Sequence, residues 1–137
     1  MKCDICESSK TYIKNYEHIY FVKGKEIKVC SKRRFCEECI NLVYDSELDN
    51  AASEVAIKIY NEKYGISKEE IIDLRAKYNL SLELFSKIIG CAKKTLISYE
   101  KGKSIPNDSY LIILKSLIAK PEMIITLIEA NKEQFTN

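Results

Sequence analysis

Hydrophobic positions change their period twice along the chain. Residues 17–31, EHIYFVKGKEIKVCS, hold two runs rich in Ile, Tyr, Phe and Val on either side of Lys23-Gly24-Lys25, the pattern of a β-hairpin. Residues 45–65, DSELDNAASEVAIKIYNEKYG, then shift to helical spacing, with Leu48, Ala52, Val55 and Ile59 three or four residues apart. Asp45 or Ser46 stands at the N-cap position, and Gly65 closes the run.

From Ser67 the pattern becomes a series of short helices. SKEEIIDLRAKYN opens on a Ser67–Glu70 capping box and sets Ile71, Leu74 and Tyr78 on one face. SLELFSKIIG begins at Ser81 and stops at Gly90, and AKKTLISYEKG ends at Gly102. NDSYLIILKSLIA follows Pro106, and PEMIITLIEANK starts with Pro121 at the favoured first-turn position. Two short helices joined through a glycine match a helix-turn-helix. The expected fold is α+β: a small metal-stapled N-terminal domain, residues 1–65, with a hairpin and one helix, then an all-α domain of five helices, residues 66–137.

The cysteines decide what the first domain is. Cys3-x-x-Cys6 and Cys36-x-x-Cys39 form pairs, while Cys30 and Cys91 stand outside them. Two-residue spacing lets both sulfurs of a knuckle face one ion, and two knuckles complete the tetrahedron of a structural zinc site. The competing readings are reduced core thiols and a redox pair. The first conflicts with the polar surroundings of both pairs, and the second lacks the strand–helix context it needs. Cys30 could displace one of the four, although the spacing favours the pairs. Four thiolates leave no open coordination position, so the expected zinc is structural, one per chain. His18 is the sole histidine and more plausibly a packed or surface residue than a ligand.

Charge adds a second site. Residues 1–66 balance eleven Lys/Arg against eleven Asp/Glu, whereas residues 67–137 hold eleven against nine, so the net charge of +2 arises in the second half. Lys87, Lys93, Lys94, Lys101 and Lys103 cluster there with Glu100 alone between them. On a helical wheel, Lys93, Lys94, Ile97, Ser98 and Lys101 share an arc of about 140°, and Leu96 and Tyr99 lie opposite. Lysines reach phosphates or guanine edges, serine bonds several bases, and isoleucine meets a thymine methyl. An ordinary solvated amphipathic helix has the same wheel. No nucleophile–base pair and no glycine-rich phosphate loop is present, so an enzyme is not expected. No run reaches the roughly 18–20 apolar residues of a membrane span, no signal peptide is legible at the start, and a cytoplasmic protein with reduced thiols is expected.

Residues 80–106, LSLELFSKIIGCAKKTLISYEKGKSIP, resemble the Xre/Cro-type helix-turn-helix without gaps. Tyr99-Glu100-Lys101-Gly102 fills the closing aromatic-Glu-x-Gly position. Leu82 stands where Gln is frequent, Ala92 replaces a Ser/Thr cap, and Ser98 replaces a frequent Arg. The order of parts resembles the MqsA-type antitoxins, which carry a YgiT-type zinc finger: a Cys-x-x-Cys pair at the start, a second some thirty residues on, a helix, and an Xre-type domain ending in KPEMI. Asp4 departs from the usual proline. The resemblance implies an antitoxin whose zinc domain neutralises a protein toxin, while its C-terminal domain dimerises on double-stranded operator DNA and represses its own operon. It implies zinc ligation by Cys3, Cys6, Cys36 and Cys39. Lys94 and Ser98 fall at base-contacting positions, within a DNA-facing set of Lys93, Lys94, Thr95, Ile97, Ser98, Lys101 and Lys103. Dimer contacts are expected from Tyr110, Ile113, Leu114 and Leu117 or from the final helix. The alternative function is a stand-alone Xre-family regulator whose zinc domain senses a signal.

Overall fold

A computed structural model of the chain describes residues 1–135. The chain divides into two compact units, Met1–Tyr60 and a second from Asn61 onward, and the fold is α+β.

The first unit is built on a long hairpin. β1, Thr11–Val22, pairs antiparallel with β2, Lys25–Cys36, from Val22↔Lys25 at the turn to Thr11↔Cys36 at the base. A two-residue strand β3, Leu42–Val43, adds to β2 opposite Phe35 and Arg34, giving the order β1-β2-β3. The connection is only Lys23-Gly24, both with positive φ (49° and 79°), the two-residue turn whose twist matches the strands. Both strands are longer than the hydrophobic runs suggest, because their ends are held by charge and by the cysteine loops. Ile27, Val29, Arg33 and Phe35 line a buried face, and the opposite face is open to solvent.

Helix α1, Ser46–Tyr64, begins in this unit. The Leu48 N–H donates to the Asp45 carboxylate (3.3 Å), so Asp45 caps the helix. Arg34 pairs with Asp45 and Arg33 with Asp49, each at 3.0 Å, fixing the helix start to the hairpin. The Arg34 hydrogen bond, helped by the Leu48 amide, holds the Asp45 carboxyl below its ordinary range. The buried stripe of α1 is Ala52, Ala56 and Tyr60. Val55, expected on the inner face, is exposed. Two small alanines carry too little hydrophobic signal to outweigh one valine in a spacing argument.

In the second unit α2, Lys68–Lys77, α3, Leu82–Ile89, α4, Lys93–Glu100, α5, Asp108–Ala119, and α6, Met123–Ala130, follow one another. A four-residue helix α7, Lys132–Phe135, adds to the five that were expected. Ile71, Leu74, Phe85, Ile89, Leu96, Tyr99, Leu114, Leu117 and Ile124 form its core. The Ser67–Glu70 capping box is complete, and Ser81 and Asn107 cap α3 and α5 by accepting from the Leu84 and Tyr110 amides. Pro121 lies in a tight turn before α6, where its carbonyl accepts from the Ile124 amide at 3.1 Å.

Candidate metal centre and nucleic-acid interface

Two loops with the same backbone build the metal centre. In the first, the Cys3 N–H donates to the Ser8 carbonyl (2.8 Å), the Glu7 N–H donates to the Cys3 carbonyl (3.0 Å), and Glu7 is left-handed (φ 62°). In the second, Cys36 donates to Asn41 (3.0 Å), Ile40 to Cys36 (3.1 Å), and Ile40 is left-handed (φ 65°). Each loop folds back over its cysteine pair, with the Ile5 N–H aimed at the Cys3 sulfur (3.4 Å) and the Cys39 N–H at the Cys36 sulfur (3.5 Å). Non-glycine residues in the left-handed region are strained, and here the strain turns both loops around one point. The hairpin brings the loops together: the Glu37 N–H donates to the Lys10 carbonyl at 2.9 Å.

The four sulfurs lie within 4.8 Å of one another, with Cys3–Cys39 and Cys6–Cys36 each at 3.5 Å. Tetrahedral thiolates about 2.3 Å from a zinc ion stand about 3.8 Å apart, so the donor set fits one ion. Cys3 and Cys36 are buried against Val43, Cys39 is half-buried and Cys6 is exposed. The Asn41 backbone N–H and side chain, with smaller help from Cys3 and Cys36, lower the Cys39 thiol to about 6. The Ser8 amide pulls Cys6 down, but the hydrogen bond to Cys36, desolvation and the remaining thiols prevail and push it up to about 12. A dication would favour the thiolate at all four sulfurs. The cluster fits a single structural zinc. Cys30 is exposed on β2 and Cys91 is partly buried against the helical core; neither belongs to the cluster.

The second site is the outer face of α4. Leu96 and Tyr99 are buried in the core. Lys93, Lys94, Lys101 and Lys103 are exposed, and Thr95, Ile97 and Ser98 are partly so, which agrees with the division read from the wheel. Gly90 is left-handed (φ 92°) at the end of α3, where any other residue is strained. Its carbonyl accepts from the Tyr110 hydroxyl at 3.3 Å. Ala92 caps α4 without a side-chain hydrogen bond.

Two features of this face were not read from the sequence. The Ser98 and Ser104 hydroxyls meet at 2.7 Å. With Lys94 and Thr95 they line a shallow concavity beside the helix. Ser104 in the Lys-Gly-Lys-Ser turn is the signal for this contact, beside lysines whose charge is the stronger cue. Arg75 of α2 clamps Glu100 of α4 through Nε (3.0 Å) and Nη2 (2.9 Å), and its Nη1 donates to the Leu80 carbonyl at 3.1 Å. Glu100 in the closing motif was legible; nothing in the sequence pointed to Arg75 as its partner.

Residues 1–127 match the family described as the antitoxin component of bacterial toxin-antitoxin system, MqsA. The chain is similar to Antitoxin MqsA of Escherichia coli (strain K12), at 24% identity over 127 residues, 90% of this chain and 97% of that relative. It is also similar to Antitoxin HigA-2 of Vibrio cholerae serotype O1 (strain ATCC 39315 / El Tor Inaba N16961), at 32% over 59 residues. That match covers 43% of this chain and 57% of the relative's length.

Proposed function

The chain belongs to the MqsA antitoxin family, and from that premise we propose that it neutralises a protein toxin through residues 1–65 and represses its own operon through residues 66–137. The observation that carries this reading is the pairing, in one chain, of a closed four-thiolate centre with a lysine-faced helix-turn-helix. The zinc centre staples a small domain that has few other means of holding its loops. It does no chemistry, because four thiolates close the shell, and the protein is not an enzyme. Exposed large apolar side chains support a partner surface in that domain: of the twelve among the described residues, Met1, Ile5, Ile13, Ile19, Phe21, Ile40, Tyr44 and Val55 lie within residues 1–60.

Repression requires two copies. Paired C-terminal domains would present two α4 helices about 34 Å apart to a near-palindromic operator. Lys93, Lys94, Lys101 and Lys103 meet phosphates, while Thr95, Ile97 and Ser98 meet base edges. Leu114 and Leu117 are spent in the core, whereas Ile112 on α5 and Ile125 on α6 are exposed. We assign the dimer contact to these outer residues.

The test is to express the product of the adjoining gene with and without this protein, and to assay binding to the protein's own promoter. Growth arrest relieved by co-expression, with a promoter shift, is expected. A promoter shift with no neighbouring toxin would make the protein a stand-alone regulator.

A further inference from the structure

Two hydroxyls meet where α4 ends. Ser98 Oγ and Ser104 Oγ stand 2.7 Å apart, and the backbone holds them there. The Lys101 N–H donates to the Ile97 carbonyl (3.0 Å), the Gly102 N–H to the Tyr99 carbonyl (3.1 Å) and the Lys103 N–H to the Ser98 carbonyl (3.0 Å). Gly102 supplies the left-handed residue (φ 71°) that folds the turn back. A serine inside a helix commonly donates to a carbonyl of the preceding turn, as Ser86 does to Glu83 (2.8 Å) and Ser116 to Ile112 (2.7 Å). The Ser98 hydroxyl turns outward instead, and its one hydrogen-bond partner among the described residues is Ser104. Both hydroxyls line the concavity with Lys94 and Thr95.

A lone serine hydroxyl rotates and offers a proton or a lone pair as its partner demands, so it tells one base from another poorly. A hydroxyl pair has less freedom, because one proton lies between the two oxygens. We infer that Ser104 is a positioning residue for base recognition: it fixes Ser98 as a hydrogen-bond acceptor that selects adenine or cytosine over guanine or thymine. The direction follows from the phosphate. Ser104 adjoins Lys103 on the turn beyond the helix, among the lysines assigned to phosphates, whereas Ser98 lies on the face assigned to base edges. A phosphate oxygen only accepts, so Ser104 donates to it and receives the Ser98 proton. The Lys94 ammonium, one turn before Ser98 on the same concavity, favours this arrangement by attracting the Ser98 lone pairs. Those lone pairs accept from adenine N6 or cytosine N4 and find no donor on guanine O6 or thymine O4. Each hydroxyl then donates once and accepts once in a chain from base to phosphate, where each bond polarises the next.

This inference rests on the repressor reading, and one experiment separates the two. The zinc-loaded full chain is equilibrated with a pool of randomised DNA duplexes, and the bound sequences are read for the wild type, Ser98→Ala, Ser104→Ala and Ser104→Thr. The wild type is expected to prefer adenine or cytosine by at least ~5-fold at one position in each half-site. Ser98→Ala identifies that position by losing the preference there alone. Ser104→Ala reduces the preference at the same position to within ~2-fold, and leaves the other positions and the helical melting midpoint unchanged. Ser104→Thr keeps the hydroxyl and keeps the preference. If Ser104→Ala retains the preference, or weakens all sequences alike, the inference is overturned and the repressor reading stands. Two other results do the same: Ser98→Ala without effect at any position, or a lost preference that was for guanine or thymine. A wild type that enriches no sequence removes the repressor reading as well.

Discussion

Replacing Arg75 by Met tests how α4, the helix proposed to read DNA, is held. The guanidinium spans α2 to α4, bonded to both Glu100 oxygens and to the Leu80 carbonyl, with side-chain exposures of 28% for Arg75 and 10% for Glu100. Arg75→Met leaves a nearly buried carboxylate and a carbonyl without donors, at a cost of about 3 kcal/mol. Glu100→Met leaves a cation that still reaches water, and costs about 1.5–2 kcal/mol. The double variant strands neither charge, so about 2 kcal/mol of coupling is expected between the two sites. For a unit of this size each kcal/mol moves the midpoint by about 4–8 °C, so Arg75→Met lowers the helical transition by about 15 °C. Thermal unfolding followed by helical circular dichroism reads the shift and urea unfolding the free energy, with zinc release reporting the other unit separately. Single changes costing under ~0.5 kcal/mol, or strictly additive ones, would show a screened surface pair and sink the clamp.

Three further outcomes are expected. Lys94→Gln weakens operator binding and reduces the slope of log affinity against log salt by about 0.9, one phosphate's share; an unchanged slope across a salt series removes Lys94 from the phosphate contacts. Cys3→Ser abolishes stoichiometric zinc and the hairpin's exchange protection, yet leaves the helical transition in place; full metal retention would point to Cys30 as a substitute ligand. In the zinc-loaded protein an alkylating reagent modifies exposed Cys30 first and Cys91 slowly. Burial raises the Cys91 thiol above its usual value of 9.0, so little thiolate exists at pH 8, and its rate keeps climbing past pH 9. Equal rates for the two at pH 8 would contradict that burial.

The sequence disclosed what is set by local chemistry. Ser67, Ser81 and Gly90 mark helix ends because a hydroxyl or a left-handed residue is needed there, and the cysteine pairs declare their loops by spacing. Contacts between distant segments were not legible. Arg33, Arg34 and Arg75 read as ordinary surface charges until folding set Asp49, Asp45 and Glu100 beside them. The strands ran past their apparent ends because the outer face of β1 mixes Ile13 and Phe21 with Asn15 and Glu17, which blurs the period-two signal. Ser104 carries no signal of its own beside two lysines, since only its meeting with Ser98 gives it a place on the outer face of α4.

Antitoxin function requires that the zinc domain hold a toxin. The most direct measurement is a calorimetric titration of the adjoining gene's product into the full chain. One partner per chain is predicted, with submicromolar affinity that survives Lys94→Gln and is lost in Cys3→Ser. No binding heat at any concentration or temperature, from a zinc-loaded protein that still shifts its own promoter, would contradict the antitoxin assignment.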